Sequence, residues 1–244
     1  MPSSNRDKLF AHPLGKIPKF VFDKAVVDVF PDMIQRSVPG YQTIINHTGE
    51  LADRFVQQDS FCYDLGCSLG ASTLAIRERI EGRNGTIFAV DNSADMLAKH
   101  KGILASQPSS TTTELIESDI CEVKITNASL VVLNFTLQFV PLEQRSDLIS
   151  TIYQGLNPNG CLVISEKLHF QPESLDQLLN ELHHQFKRDQ GYSDLEISQK
   201  RDAIDDVLIP ETMDTHIERL QQCGFKTASP WFQCYNFGSL VAIK

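Results

Sequence analysis

The sequence lacks any apolar run near the roughly 18 residues that a membrane-spanning helix requires, which excludes a transmembrane protein. Its first twenty residues hold no continuous apolar stretch, because Arg6, Asp7, Lys8, Pro13 and Lys16 interrupt the single hydrophobics, so no secretory signal is expected. Positive charge is scarce: 22 Lys and Arg against 31 Asp and Glu leave a formal charge of −9, which argues against broad capture of a nucleic acid. None of Cys62, Cys67, Cys121, Cys161, Cys223 and Cys234 forms a C-x-x-C pair, and no Cys/His cluster has zinc-ligand spacing, so no metal site is expected. Cys62 and Cys161 lie in apolar runs, where a free cysteine acts as a small buried hydrophobe. Without an export signal, the cysteines suit a reduced, cytoplasmic protein. No internal repeat, low-complexity tract or Gly/Ser linker divides the 244 residues, a length that suits one α/β domain, residues 1–244, with a full core.

What is present is an alternation of short apolar runs and helical periods. After an irregular arm, Val26, Phe30 and Ile34 recur about one helical turn apart, with Pro31 expected to break or kink that helix. Pro39-Gly40 reads as a turn, and Ile44, Thr48, Leu51 and Phe55 predict an amphipathic helix to about residue 56. From Phe61 the pattern predicts strands at 61–65, 86–90, 114–117, 130–133 and 161–165, with helices at 72–80, 94–104 and 142–156. Asn157-Pro158-Asn159-Gly160 reads as the turn before the fifth strand. Residues 172–209 interrupt the alternation as a charged insertion of two helices joined near Gly191, placed to form a lid over the carboxyl edge of the sheet. A helix at 212–223 and strands at 231–235 and 240–243 complete the pattern, with a short turn at 236–239 implying a closing hairpin. The predicted fold is α/β: a mostly parallel seven-stranded sheet with helices on both faces, N-terminal helices and a helical lid. The hairpin ending favours a methyltransferase-type sheet over a dinucleotide-binding one.

The strongest chemical signal is Tyr63-Asp64-Leu65-Gly66-Cys67-Ser68-Leu69-Gly70, a strand-to-helix turn whose glycines let a ligand approach the backbone. The bland alternative is an ordinary tight turn. The spacing Gly66, Ser68, Gly70 does not fit G-x-G-x-x-G, which makes a nicotinamide dehydrogenase the least favoured reading. Asp64 before the first glycine resembles instead the first motif of S-adenosylmethionine-dependent methyltransferases, with Ser68 replacing the middle glycine. Asp91 ends the next strand, where a carboxylate can accept both hydroxyls of a ribose, although Asp91 or Ser93 could equally cap the following helix. Asp119 and Ile120 follow the third strand, where an acid can meet the adenine amino group and an aliphatic residue can pack on the ring. Three acids at consecutive strand ends are thus expected along one rim, gripping adenosine. Asn134 ends the fourth strand, where the reacting part of the ligand should lie.

Absences shape the chemistry too. Asn134-Phe135-Thr136-Leu137 lacks the Asn-Pro-Pro-Tyr pattern of amino-methylating enzymes, and no Ser-His-Asp set or Cys-His pair emerges from spacing. His183 and His184 read as surface or packing residues of the insertion. Arg36 and Arg201 stand in the two segments outside the alternating pattern; a guanidinium is the natural fork for a carboxylate, the alternative being a solvated helix charge.

Longer runs are more specific. Val29-Phe30-Pro31-Asp32-Met33-Ile34-Gln35-Arg36-Ser37-Val38-Pro39-Gly40-Tyr41, Val132-Leu133-Asn134-Phe135-Thr136-Leu137-Gln138-Phe139, Glu196-Ile197-Ser198-Gln199-Lys200-Arg201 and Trp231-Phe232-Gln233-Cys234-Tyr235-Asn236-Phe237-Gly238 resemble the carboxy-S-adenosyl-L-methionine synthase family. The resemblance spares only the first dozen residues and 101–113. It implies a transferase that converts S-adenosyl-L-methionine and prephenate to carboxy-S-adenosyl-L-methionine and phenylpyruvate. The product would serve a tRNA carboxymethyltransferase that completes uridine 5-oxyacetic acid at the wobble position, so this chain would support tRNA modification without touching tRNA. It further implies a homodimer. By the same resemblance, Tyr41 would contact the ligand, Gly66, Cys67 and Ser68 would wrap its methionine part, and Asp91 and Asn92 would hold the ribose. Asp119 and Ile120 would hold the adenine, Asn134 would sit by the reactive end, and Arg201 would pair with the new carboxylate across the dimer interface. No catalytic residue is assigned for the decarboxylation. Two other readings stay open: a conventional S-adenosylmethionine methyltransferase acting on a small molecule or tRNA, which would need a base or a positioned nucleophile near Asn134 and, for tRNA, a basic face, and a non-catalytic nucleoside-binding subunit.

Overall fold

In a computed structural model, residues 6–244 are described; residues 1–5, which open the irregular arm and belong to the stretch read for a secretory signal, lie outside the described residues. Strands β1 (Phe61–Leu65), β2 (Thr86–Asp91), β3 (Thr112–Glu117), β4 (Ala128–Asn134) and β5 (Leu156–Lys167) run parallel. β6 (Thr227–Cys234) and β7 (Phe237–Ile243) form an antiparallel hairpin, and the sheet order is β3-β2-β1-β4-β5-β7-β6. The parallel part follows from its crossovers, chiefly α3 (Ala71–Arg79), α4 (Ala94–Ala105) and α5 (Leu142–Gly155). Strand order reverses between β1 and β4, which opens a crevice beyond their carboxyl ends.

Continuous apolar runs make these strands because both sheet faces are covered. On β4, Val131 and Leu133 enter one core with Leu65, Ile149, Ile152 and Ile164, while Leu130 and Val132 enter the opposite core with Ile76, Ile87 and Val163. Cys62 and Cys161 belong to the second core as small apolar residues, and all six cysteines are free thiols.

Three expectations need correction. Of the break or kink expected at Pro31, the break does not occur: helix α1 (Lys24–Ser37) runs through it. Proline deprives the carbonyl four residues back of its partner, and that carbonyl, Val27 O, instead accepts from Lys99 Nζ on α4 at 3.2 Å. Residues 157–160 are not a turn before β5 but part of it. The strand absorbs them through a register shift against β4, with Asn159 at φ 63°, and Lys244 bonds both Asn159 N (3.2 Å) and Gly160 O (3.0 Å). The closing turn sits at Tyr235-Asn236, and β7 already starts at Phe237 rather than after 239. Helix α2 (Tyr41–Phe55) matches its periodicity.

The insertion forms α6 (Glu173–Asp189) and α7 (Asp194–Ile204), joined through Gly191; Ser193 and Glu196 close a reciprocal capping box at the start of α7. Arg36 fastens this lid to α1. It donates to Gln190 O (2.8 Å) and Asp32 Oδ2 (3.0 Å) and lies 3.8 Å above the Tyr192 ring, whose hydroxyl donates to Asp7 Oδ2 at 2.6 Å. Helix α8 (Met213–Gln222), capped by Thr212, leads into the hairpin.

Candidate active site

A cavity of about 1040 Å³ opens over the carboxyl ends of β1 to β5 and is roofed by the arm before α1, by α1 itself and by the lid helices. That volume is at the top of the range of roughly 300–1,000 Å³ for small-molecule sites, enough for a nucleoside beside a second small substrate.

The loop after β1 is set by its own packing. Gly66 has φ 78°, and a Cβ there would stand 2.4 Å from Thr136, so glycine admits both the left-handed backbone and the loop after β4. Gly70 serves a different neighbour: its Cβ would lie 2.0 Å from Nε2 of the buried His100. The second glycine of the motif therefore answers to protein packing, not to a ligand. Burial lowers His100 to a pKa of about 4, so it is neutral at physiological pH.

Asp91 bridges the two nucleoside loops. Its Oδ2 accepts from Ser68 N (2.8 Å) and its Oδ1 from Ser93 N (2.9 Å), while Ser93 itself caps α4. Burial pushes its carboxyl above the usual range, against the pull of these backbone donors. The two oxygens keep lone pairs for a diol facing them from the cavity. Asp119 uses Oδ1 to cap the short turn Ile120–Glu122 through Cys121 N at 2.8 Å, and Ile120 lies buried beside it in the cavity wall.

The expected rim of three acids is in fact two. Asp64 does not reach the cavity: it is only 2% exposed and accepts from Thr73 Oγ1 at 2.6 Å, which holds the start of α3 against β1. Burial raises its pKa to about 6, tempered by the Thr73 hydrogen bonds. Tyr41 does reach the cavity, tilted against Phe135; burial, and next the charge of Asp64, pushes its phenol well above its ordinary range and keeps it protonated.

Asn134 lines the cavity with its amide already engaged. Its Nδ2 donates to Ser72 Oγ (2.8 Å), and its Oδ1 accepts from Ser165 Oγ (2.7 Å), which in turn bonds Ser239 Oγ. The next residue, Phe135, takes φ 60°, a left-handed conformation rare for a bulky side chain and fixed here by Phe135 N bonding Ser165 O at 2.6 Å. Leu137 N and Gln138 N then donate to Glu166, whose burial raises its pKa to about 8 against those same donors.

Gly66, Cys67, Ser68, Asp91, Asn92, Asp119, Ile120, Tyr41, Asn134 and Arg201 all border this one cavity. Arg201 stands at its edge with the side chain 53% exposed, donating to the adjacent Asp202 at 3.2 Å. Arg36 does not border the cavity; its lid-fastening contacts replace the clamp role considered for it. His183 is a packing residue, bonded through Nε2 to Ser37 O (2.8 Å) and edge-on to Phe237, yet it and His184 also border the cavity. Sequence reasoning missed Lys167, Lys187 and Lys200 in the wall. For the last two the signal is spacing: 180, 183, 184 and 187 share one face of α6, and 200, 201 and 204 lie together toward the end of α7.

A sheet of this order with an antiparallel final strand, and acids at the ends of β2 and β3 beneath a glycine loop, defines the Rossmann-like methyltransferase fold. The model for the methyltransferase domain matches residues 63–160. Among solved structures, a putative S-adenosyl-L-methionine-dependent methyltransferase from Methanococcus maripaludis aligns with TM-score 0.60 at 17% identity, covering 95% of this chain and 97% of that one. Human N-acetylserotonin methyltransferase, solved in complex with SAM, aligns with TM-score 0.59 at 14% identity over 99% of this chain and 63% of its own. Sequence relatives are far closer. Carboxy-S-adenosyl-L-methionine synthases from Shewanella amazonensis and Erwinia tasmaniensis are 55% and 53% identical, each covering 99% of this chain and 100% and 98% of their own lengths. The chain belongs to the carboxy-S-adenosyl-L-methionine synthase family and is a transferase.

Proposed function

We propose that this enzyme converts S-adenosyl-L-methionine and prephenate to carboxy-S-adenosyl-L-methionine and phenylpyruvate. The observation that carries the reading is a single cavity that pairs a nucleoside rim with a cationic lid and has room for both substrates. Asp91 takes the ribose hydroxyls, Asp119 and Ile120 the adenine, and the Gly66–Ser68 backbone the methionine part. Asn134, immobilised by Ser72 and Ser165, bounds the sulfonium end.

The atoms balance without an outside reagent. Prephenate loses its ring carboxylate as carbon dioxide, and its ring hydroxyl leaves with one proton of the sulfonium methyl as water, so the ring becomes aromatic. The ylide carbon left on sulfur takes up the carbon dioxide to form the new carbon–carbon bond. The sulfonium charge stabilises the adjacent carbanion, so the protein's work is to align the partners and exclude water. A conventional methyltransferase needs a base or a positioned nucleophile near the methyl group. Asn134 offers an amide already bonded on both sides, and the nearby Glu166 is spent on Leu137 N and Gln138 N.

The direct test is mass spectrometry of the protein incubated with S-adenosylmethionine and prephenate. A nucleoside heavier by one carboxyl group is expected; a methylated acceptor, or no new nucleoside, would refute the reading.

The new carboxylate is assigned to Arg201, whose fork is free enough to leave Asp202 for it. Replacing Arg201 with alanine should weaken binding of carboxy-S-adenosylmethionine roughly tenfold or more while barely changing that of S-adenosylmethionine. Equal losses for both nucleosides would remove the assignment. The exposed Leu175, Leu178 and Leu182 form a stripe along α6, beside the helix that carries Arg201. This supports a homodimer with Arg201 at its seam. The formal charge of −9 suits an enzyme whose product, not its surface, meets the tRNA-carboxymethylating partner, and the six free thiols suit the cytoplasm.

A further inference from the structure

The cavity has two electrostatic poles. At the nucleoside pole stand Asp91 and Asp119; at the other, Lys167 from the end of β5, Lys187 from α6, and Lys200 and Arg201 from α7 converge on the same space. Such convergence is unexpected in a chain with formal charge −9, and half of it, Lys167 and Lys187, is not consumed by the fold. Lys200 is committed to the seam between lid and α1, donating to Ser37 Oγ (3.0 Å) with Asp7 at 4.0 Å, and Arg201 leans on Asp202. Lys167 and Lys187 make no side-chain hydrogen bond or ion pair among the described residues; the acids that attenuate them from nearby are Asp205 for both and Asp176 for Lys167. His184 in the same wall has its pKa lowered by burial and then by the neighbouring cations, so it adds no lasting positive charge. The crowding has a cost: burial, followed by Lys200, Lys167 and Arg201, brings Lys187 down to a pKa of about 7. A half-buried cation held against other cations, with Asp205 near but no carboxylate bonded to it, is an arrangement awaiting an anion.

We propose that Lys167 and Lys187 bind the carboxylate that the cosubstrate keeps, the one on its three-carbon keto-acid arm, and so orient the departing carboxylate toward the sulfonium. The inference rests on the prephenate reading above. The choice between the two carboxylates follows from the chemistry. An ammonium gripping the departing group would stabilise its charge in the ground state and oppose its conversion to neutral carbon dioxide. A grip on the retained carboxylate contributes binding and orientation without that penalty. The lysines thus act as specificity and positioning residues, and Arg201 stays available for the carboxylate formed on the sulfur's arm.

The test uses the full-length protein with Lys187→Ala, Lys167→Ala and the corresponding arginine variants. Prephenate KM should rise roughly tenfold to a hundredfold for each alanine variant, with S-adenosylmethionine affinity unchanged. Phenylpyruvate, which carries only the retained carboxylate, should lose inhibition by the same factor, and arginine should restore most of both. Because Lys187 sits among like charges, its alanine variant should melt no lower than the wild type, which separates lost binding from lost folding. Unchanged KM and phenylpyruvate inhibition in a wild type that does form the carboxylated nucleoside would overturn the lysine assignment alone. Loss of S-adenosylmethionine affinity would overturn it too, by giving the lysines to the methionine carboxylate. A wild type that forms no product from prephenate would fail at the earlier step, the function itself.

Discussion

Replacing Asp91 with alanine should weaken S-adenosylmethionine binding by more than about a hundredfold. The estimate sums two charge-assisted hydrogen bonds to the ribose diol, each about 1.5–3 kcal/mol, at 1.4 kcal/mol per tenfold. It is a lower bound, because the same carboxylate holds Ser68 N and Ser93 N, so its loss also frees the glycine loop and the start of α4. Asparagine should rescue little, since an amide offers one acceptor oxygen and turns its NH₂ toward one of those backbone donors. Asp119→Ala should cost far less, about tenfold, because that side chain meets a single exocyclic amine and is exposed. Calorimetry with S-adenosylmethionine and a 2′-deoxy analogue separates the two contributions. The wild type should lose affinity for the analogue, and Asp91→Ala should not discriminate between the ligands. Equal affinity of wild type and Asp91→Ala for S-adenosylmethionine, or undiminished discrimination in the variant, would move the ribose elsewhere.

The parts of this molecule legible in its sequence share a physical reason. Strands buried on both faces appear as apolar runs whatever surrounds them, which is why the run 61–65 coincides with β1 and the run 86–90 stops one residue short of the end of β2, at Asp91. Acids at strand ends are visible because they interrupt those runs. Tertiary compensation is not visible. Pro31 breaks or kinks a helix by local rules, and Lys99, on another helix, supplies the donor that Val27 O loses in the intact α1. Asp64 and Asp91 look alike in sequence, each at the carboxyl end of a strand before a loop, Asp64 one residue from the end of β1 and Asp91 the last of β2. Thr73, nine positions later, turns one into an internal strut, while the other keeps a face toward the cavity. The arginines show the same limit: Arg36 and Arg201 carry identical chemistry, and a tyrosine ring and a carbonyl from the far end of the lid decide that the first is structural. The lysine pole is in principle readable, because 183, 184 and 187 on α6 and 200, 201 and 204 on α7 are spaced as helical neighbours, but nothing local says that two separate helices face each other across one space.

The largest loss of stability should come from Arg145, a fully buried cation at the base of the lid. Its guanidinium ties three parts of the chain where the insertion returns to the sheet. Nε donates to Val140 O (2.9 Å), Nη2 to Gln138 O (3.2 Å) and Ile209 O (2.9 Å), and Nη1 pairs with Glu211. Glu211 also pairs with Arg219, and its backbone carbonyl accepts from His169 N at 3.0 Å. Burial pushes the Glu211 carboxyl up, but hydrogen bonds and charge from Arg219 and Arg145 outweigh it and leave its pKa below the ordinary value. A carboxyl depressed in the folded state contributes stability above its unfolded pKa and loses it as pH falls through the folded one. The network is therefore intact at neutral pH and fails only in acid. Arg145→Ala removes the central cation and strands buried carbonyls with no replacement donor, which should cost about 3–5 kcal/mol. For a chain of this length that corresponds to a melting temperature lower by roughly 6–20 °C. Lysine should recover only part of it, because one ammonium cannot reproduce a fork directed at a carboxylate and three carbonyls. Gln138 and Val140 also line the cavity, so the loss should extend to ligand binding, with S-adenosylmethionine raising the melting temperature less in the variant than in the wild type. Thermal unfolding with and without the nucleoside measures both effects. An Arg145→Ala protein that melts with the wild type would mean that the lid's return does not depend on this cation.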